Sequence, residues 1–375
     1  LGDAGVASIA EALKVNTTVR TLGIIGRNMT PEAGRALGEM LRHNTTITCL
    51  SLFHGNIGDS GALSIASGLS KNTTLDKIEI ENSCIGATGV SALAEFIQNN
   101  NSTLSTIDIS VNSLGDACAS ELAKVLVDNT SLNVVYIGGK YLGDAGVASI
   151  AEALKVNTTV RKLGIKGRNM TPEAGRALGE MLKHNTTITC LSLVNGNIGD
   201  SGALSIASGL SQNTTLEKIQ IVNSCIGATG VSALAKVIQN ATHLDLSRNI
   251  IGDAGVASIA EALMVNTTVR ALGIRGDNMT PEAGQALGEM LKHNTTITCL
   301  SLVNGNIGDS GALSIASGLS QNTTLDKIQI DNSCIGATGV SALTKVIQNA
   351  THLDLSKNII GTKGAKAISK VIENS

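Results

Sequence analysis

The chain has 375 residues, a formal net charge of −2 and 15% charged residues, and its aromatic side chains are two phenylalanines and two tyrosines. Such a balanced charge indicates no polyanionic partner, and four aromatic rings are too few for the stacking platforms of proteins that bind single-stranded nucleic acid. No apolar run approaches the ~18–20 residues of a membrane span. We therefore expect neither a nucleic-acid partner nor a membrane span.

A segment of about a hundred residues occurs three times, almost unchanged. The run LGDAGVASIAEAL that begins at Leu1 begins again at Leu142 and, with isoleucine first, at Ile251. Within each copy, shorter units follow one another every 28 residues, with one unit of 29 and two of 25. Such periods indicate a repeat architecture, because one unit cannot bury its apolar face alone. We predict a single repeat domain over residues 1–375, which starts in mid-repeat and is a segment of a longer protein.

The first half-repeat predicts a helix. Val6, Ile9, Ala10 and Leu13 have the i, i+3, i+4, i+7 spacing of one apolar stripe. Asp3 precedes the stripe and is the expected N-cap, with its carboxylate on the first free amides of the same helix. Asparagine readily adopts the left-handed conformation, so Asn16 is expected to end the helix in that way.

Each later unit begins with a short strand, as Leu22 and Ile24 alternate with Gly23. A turn and another helix follow, and Thr30-Pro-Glu is a typical helix start. Since a helix crosses back between successive strands, the strands must be parallel. Strands lie ~4.8 Å apart and helices ~8–10 Å, so the stack should bend. The expected fold is an α/β horseshoe of about thirteen repeats, with a parallel sheet on the concave face and helices on the convex face.

The pattern L-x-x-L-x-L-x-x-N-x-L-G-D-x-G is clearest from Leu104 to Asp116. It resembles the ribonuclease-inhibitor-like subfamily of leucine-rich repeats, the type found in NOD-like receptors. The resemblance implies a curved solenoid; relatives include enzyme inhibitors, ligand-sensing receptor regions, Ran GTPase-activating proteins and bacterial effectors. The family's ninth-position asparagine is present as Asn112, Asn249 and Asn358 but is replaced in other units, whose turns are therefore not predicted.

The copies differ mainly where the strands face outward. Residues 1–99 and 142–240 differ at eleven positions, and six of these lie on outward strand positions. Those six pairs are Thr21/Lys162, Ile25/Lys166, Phe53/Val194, His54/Asn195, Glu79/Gln220 and Glu81/Val222. One explanation is drift of exposed sites, and the other is diversification for binding. Exposed helix positions such as Glu11 and Glu152 did not change, which argues against drift alone.

The outward strand residues combine aromatic, apolar and charged side chains. Aromatic anchors surrounded by charge suit a protein partner, since such residues dominate interface energy and the charges orient the partner. The candidate protein-binding residues on the concave face are Ile25, Phe53, Glu79, Glu81, Asp108, Tyr136, Lys162, Lys166, Lys218, Arg275, Asp331 and Asp354.

No catalytic constellation is recognisable. The chain has no dinucleotide-binding glycine motif, Walker loop, nucleophile elbow or zinc-protease motif. We expect no enzymatic activity, no cofactor and no metal. Seven cysteines without a CxxC pair indicate reduced thiols and a cytoplasmic setting. The turn cysteines Cys84, Cys225 and Cys334 are expected to be buried.

These patterns predict a non-enzymatic protein-binding module, used for ligand sensing or scaffolding, whose partner is unknown. One alternative is a GTPase-activating protein resembling the Ran-specific family. Another is a secreted or surface recognition protein, in which some of the seventeen Asn-x-Ser/Thr sites, such as Asn16 or Asn44, would carry glycans. A fourth reading is an artificial array, but the scattered substitutions argue against it.

Overall fold

The computed structural model describes residues 1–99, 103–276, 278–346 and 350–373. The chain forms two compact units, Leu1–Gly196 and Asn197–Ser375. Within the described residues, thirteen strands alternate with fourteen helices. The predicted α/β class with parallel strands is confirmed, whereas a single domain over the whole chain stays a prediction.

The first unit contains seven helices and seven strands among its described residues. Its helices are α1 Asp3–Lys14, α2 Pro31–His43, α3 Gly58–Leu69, α4 Ala87–Asn99, α5 Asp116–Asp128, α6 Asp144–Val156 and α7 Pro172–His184. Its strands are β1 Thr21–Ile25, β2 Cys49–Phe53, β3 Lys77–Glu81, β4 Thr106–Gly115, β5 Val134–Gly143, β6 Lys162–Asn169 and β7 Cys190–Val194.

The second unit contains seven helices and six strands in the part that the structure describes. Its helices are α8 Gly199–Leu210, α9 Ala228–Ala235, α10 Gly252–Val265, α11 Pro281–His293, α12 Gly308–Leu319, α13 Ala337–Thr344 and α14 Gly361–Ile372. Its strands are β8 Lys218–Val222, β9 His243–Asp245, β10 Ala271–Arg275, β11 Cys299–Val303, β12 Lys327–Asp331 and β13 His352–Asp354.

In each unit the strands pair in chain order and in parallel, with equivalent positions side by side. Ile24 and Leu50 point into the core and are at most 1% exposed, while Thr21 and Ile25 point outward. The alternation that the sequence predicts is therefore confirmed. The strands β4, β5 and β6 are longer than expected, because pairing resumes beyond a register shift, at Asn112 opposite Gly139.

The helix starts are joined from one repeat to the next by aspartates. The N-cap of α1 is Gly2, and Asp3 does not cap its own helix as the sequence predicted. Its Oδ1 accepts from the Thr30 amide (2.8 Å) and its Oδ2 from the Thr30 hydroxyl (2.7 Å), so it holds the start of α2. Asp59 likewise accepts from the Gly86 and Gly89 amides at the start of α4. These carboxylates lie where the helix dipole favours negative charge.

The helix ends are joined by the asparagines of the Asn-Thr-Thr segments. Nδ2 of Asn44 donates to the carbonyl oxygens of Leu13 (2.6 Å) and Asn16 (3.3 Å) in the preceding repeat. Its Oδ1 accepts from the amides of Thr46 and Ile47 in its own turn. Four backbone groups that the helix end and turn leave open are thus satisfied by one buried side chain. Equivalent donations are made by Asn72, Asn157, Asn185, Asn294 and Asn322.

The expectation that Asn16 ends its helix in the left-handed conformation is wrong, since its φ is not positive. The equivalent Asn44 is extended, with φ −76° and ψ 130°. Asn44 and Asn157 are also 2% and 3% exposed, which leaves no room for a glycan on the amide nitrogen. Asn28 and Asn169, in Asn-Met-Thr segments, are exposed. The structural role of the Asn-Thr-Thr segments is therefore favoured at the buried positions, and Asn44 is not a glycan site.

Asn157→Ala should destabilise the first unit strongly. The substitution removes donations to Leu126 O (2.7 Å) and Asn129 O (3.0 Å), together with the acceptor for two turn amides. A buried backbone group left without a partner costs about 1–3 kcal/mol, so we expect a loss of at least ~2 kcal/mol in the free energy of unfolding. Urea denaturation measures it. Asn28→Ala, at an exposed asparagine, is the control and should change little; equal midpoints for both variants would contradict the role of the ladder.

Candidate functional site

The outward side chains of the strands form a surface that we call the strand face, described separately for each unit. In the first unit the register places Ser51, Glu79, Asp108, Tyr136 and Gly164 side by side, one on each of the strands β2 to β6. This middle row contains three of the predicted binding residues. The geometry therefore brings them together as neighbours on one surface.

An apolar pair lies beside that row. Ile25 is directly opposite Phe53 on the next strand, and Phe53 is opposite Glu81. The Ile25 side chain is 69% exposed, whereas Phe53 is half-buried. This end of the strand face thus offers apolar contact area next to carboxylates.

Three carboxyl groups form an acidic cluster: Glu79, Glu81 and Asp108. Glu79 accepts from the Ser51 hydroxyl (2.5 Å) and is ion-paired with Lys77 (2.7 Å). Asp108 is only 8% exposed and accepts from the Ser110 amide.

Burial raises the pKa of Asp108. Burial also raises the pKa of Glu81, and the neighbouring charges of Asp108 and Glu79 add to this effect, against the opposing charge of Lys166. A hydrogen bond joins the carboxyls of Glu81 and Asp108. Two adjacent carboxyls in a partly desolvated place resist simultaneous ionisation, so this pair retains a proton to higher pH than isolated carboxyls do.

Tyr136 is fixed against the backbone of the next strand. Its ring covers Gly164, where a Cβ atom would collide with the ring carbons Cδ1 and Cε1. Burial raises the pKa of the Tyr136 hydroxyl, which therefore stays protonated and able to donate a hydrogen bond. The glycine leaves room for the Cδ1–Cε1 edge of the ring, so Tyr136 rests against the neighbouring strand.

The two lysines of β6 differ in environment. Lys162 is exposed, whereas Lys166 is half-buried and its Cβ lies against Gly138 of β5. The charge of Lys166 also acts on Glu81 and opposes the rise in its pKa. Of the two predicted lysines of β6, Lys166 therefore already interacts with the acidic cluster.

The second unit holds the remaining predicted residues. Lys218 is exposed, and Asn304 offers its amide oxygen to Nε (3.2 Å) and Nη2 (3.1 Å) of Arg275. Asp331 is 7% exposed and pairs with Lys357 (3.2 Å), so its carboxylate is largely withdrawn from the surface.

Asp354, also in the second unit, accepts hydrogen bonds from the Gln329 amide and from Ser356. Of the predicted residues in this unit, Lys218 is the one whose charge lies most openly on the strand face.

The turn cysteines are exposed, so their predicted burial is wrong. Cys84 has φ 59°, and this left-handed turn residue points outward while the adjacent Ser83 is completely buried. Asn112 explains the turn, because its Oδ1 accepts from the Ser83 amide (2.8 Å) and its Nδ2 donates to the Ile80 carbonyl oxygen. The sequence placed the cysteine in the turn correctly but could not assign its side of the chain.

The role of the strand glycines Gly164 and Gly273 was not predicted from the sequence. They occupy the same strand position in successive copies and decide what can lie above the strand face. A glycine at the centre of a predicted strand, one unit after an aromatic residue, could have indicated this role.

Among the described residues, no group of three or more His, Cys, Asp or Glu side chains is arranged to hold a metal ion. In the same part of the chain, no helix combines the length and apolar character that crossing a bilayer requires.

The acidic pair predicts an unusual pH dependence of stability. Since folding raises both carboxyl pKa values, the stabilising contribution is present below the ordinary carboxyl pKa of about 4 and is lost as pH rises through the folded-state pKa values. Asp108→Asn, which keeps an acceptor for Ser110, should therefore raise the melting temperature at pH 7, by an amount that shrinks toward pH 4. Thermal melts from pH 4 to 8 test this. Glu152→Gln, on an exposed helix side chain, serves as control; a pH-independent loss of stability in Asp108→Asn would refute the shared proton.

Comparison with known proteins supports the repeat architecture. The family described as leucine-rich repeat matches residues 43–66, 71–94, 184–207, 212–235, 242–260, 293–316 and 351–369. No curated protein sequence gives a significant match.

Two solved structures align with this chain to different degrees. A structure of the Rad7 and Elc1 complex in yeast aligns with 89% of this chain and 84% of that chain, at 17% identity and a TM-score of 0.56. Actin-binding site 2 of leiomodin-1 aligns with 34% of this chain and 76% of that chain, at 25% identity and a TM-score of 0.31, which is too low to support an argument. At 17% identity the first likeness concerns the fold alone. The seven matched segments are recognised as leucine-rich repeats, and the strand and helix order of the described residues matches a leucine-rich-repeat solenoid.

Proposed function

We propose that the chain is a protein-binding module, used for ligand sensing or scaffolding, which holds its partner on the strand face. The observation that carries the proposal is Tyr136, an aromatic side chain whose ring edge occupies the space that Gly164 leaves open, in a chain with four aromatic residues. A ring whose position is already fixed loses little conformational entropy when a partner covers it. Proteins with leucine-rich repeats commonly serve as interaction scaffolds, and such a module acts without catalysis.

The surroundings of Tyr136 support a protein partner rather than a small ligand. On one side of it are the acidic cluster and, further along, the apolar pair Ile25 and Phe53; on the other side is Lys162. Apolar anchors bordered by charges of both signs match the usual division of an interface into an energetic centre and an orienting rim. The charged rim should govern the association rate and its dependence on salt.

We also propose the ribonuclease-inhibitor-like subfamily and a cytoplasmic setting for this module. The subfamily is supported by the 28-residue spacing and by the α-helices of 8–14 residues that separate successive strands. Three of the seven cysteines expose their thiols, which suits a reducing compartment.

Tyr136→Ala should weaken binding of the partner by about 1–2 kcal/mol, or roughly 5–30-fold in Kd. The partner is first recovered from the native source on the immobilised full chain and identified by mass spectrometry. Its affinity for each variant is then measured by calorimetry, with melting curves to verify the fold. The physical reason for the loss is that a large, positioned contact area disappears while the core stays intact.

Tyr141→Ala is the matched control, since it removes the second tyrosine of the same strand. Tyr141 is 56% exposed and lies beside Lys140 at the far end of β5, away from the middle row. Its loss should leave Kd nearly unchanged. Equal weakening by both substitutions, or by Tyr141→Ala alone, would refute a binding site centred on Tyr136.

A further inference from the structure

The second unit contains a recess in its strand face where the first unit holds an aromatic ring. The recess has a volume of about 370 Å³, and Ala271 and Gly273 of β10 line its floor. His243 and Asp245 of β9 form one side, and Cys299 of β11 contributes to the other. This volume lies within the range of small-ligand sites.

The equivalent strands of the first unit show which side chain can occupy the space above such a glycine. Gly164 and Gly273 are equivalent residues, and so are Cys190 and Cys299 on the strand that follows each glycine. In the first unit Tyr136, on the preceding strand, places the edge of its ring at Gly164 and lies near Cys190.

In the second unit the residue opposite the glycine is Asp245 instead of tyrosine. Its Oδ1 lies 3.2 Å from the position that a Cβ on Gly273 would take, so the carboxylate does not fill the space above the glycine. The same oxygen accepts a hydrogen bond from the Ser247 amide (3.0 Å). The glycine floor is thus retained while the ring that covers it is replaced by a short side chain.

We propose that the recess over Gly273 binds a tyrosine side chain of a protein partner, in the arrangement that Tyr136 adopts on Gly164. The small side chains of Ala271 and Gly273 leave room for a ring, and Asp245 and Ser301 supply hydrogen-bonding groups for a phenol hydroxyl. This inference rests on the proposed use of the strand face for protein binding, and it identifies a second contact on that face.

The charges around the recess favour a neutral ring over a cationic side chain. Burial and the charge of Lys218 lower the pKa of His243, so the imidazole is neutral at physiological pH. His243 contacts the Thr242 hydroxyl through Nδ1 (2.8 Å). The ammonium of Lys218, which also lines the recess, would repel a guanidinium and so opposes the attraction of Asp245 for it.

The test uses p-cresol, the side chain of tyrosine as a free molecule, with the full chain. Titration followed by amide NMR should give saturable shifts at Gly273 and Ser301, with a Kd in the millimolar range expected for so small a ligand. Parallel titrations use 4-methylcyclohexanol, which has the same size without aromaticity, and N-acetylargininamide. Equal or tighter binding of either compound at Gly273 would overturn the proposal, and so would the absence of shifts with p-cresol.

Two substitutions at one position give the matched comparison. Asp245→Tyr should close the recess with the chain's own ring, as Tyr136 does, and weaken p-cresol binding at least ~10-fold. Asp245→Ala loses the same bond to Ser247 and one hydrogen-bonding group for the phenol but leaves the recess open, so it should weaken p-cresol binding clearly less than Asp245→Tyr does. Binding that persists unchanged in Asp245→Tyr, in a protein whose melting curve is intact, would contradict the proposal.

The same variants separate this inference from the function on which it rests. Weaker p-cresol binding in Asp245→Tyr with unchanged partner affinity would leave the recess as a phenol site but refute its use by that partner. Partner affinity that falls in Tyr136→Ala but not in Asp245→Tyr would support the strand face and contradict the second contact.

Discussion

In the part of the chain that the structure describes, most repeats use side chains of a neighbouring repeat to satisfy backbone groups at their helix ends. Aspartates such as Asp144 reach forward to the amides that open the next helix, and asparagines such as Asn157 reach back to the carbonyls that close the previous one. Helix ends are where an α-helix leaves its polar groups unpaired, and burying them unpaired would be costly. The apolar core could hold repeats together in several registers. These directional bonds select one, and so determine which side chains share the strand face.

The sequence predicted the elements well because they follow from periodicity. Strand alternation, the helix stripe of Val6 and Leu13, and the helix start at Thr30 all depend on residues close together in the chain. The roles of Asp3 and Asn16 were predicted wrongly for the opposite reason. Asp3 acts on a helix 27 residues later, and the Asn16 backbone carbonyl is bonded from Asn44, 28 residues later. Local pattern cannot show a bond whose partner lies in the next repeat.

The site was predictable as a surface but not as a set of contacts. Alternation placed Glu79, Asp108 and Tyr136 on the outward side correctly, and register then made them neighbours. What the side chains do there depends on their surroundings: Asp108 is buried, and the edge of the Tyr136 ring occupies the space that Gly164 leaves open. The pKa shifts were not predictable from the sequence for the same reason, since they arise from burial and from charges on adjacent strands.

The bonds between repeats also explain why so much of this chain could be duplicated. The bonds of a buried asparagine recur at the seam where the second copy begins. Asn157, early in the second copy, reaches Leu126 and Asn129 of the preceding segment as Asn44 reaches Leu13 and Asn16. Tandem duplication in phase therefore leaves the helix end at that seam satisfied by a side chain of the inserted copy, as inside each copy.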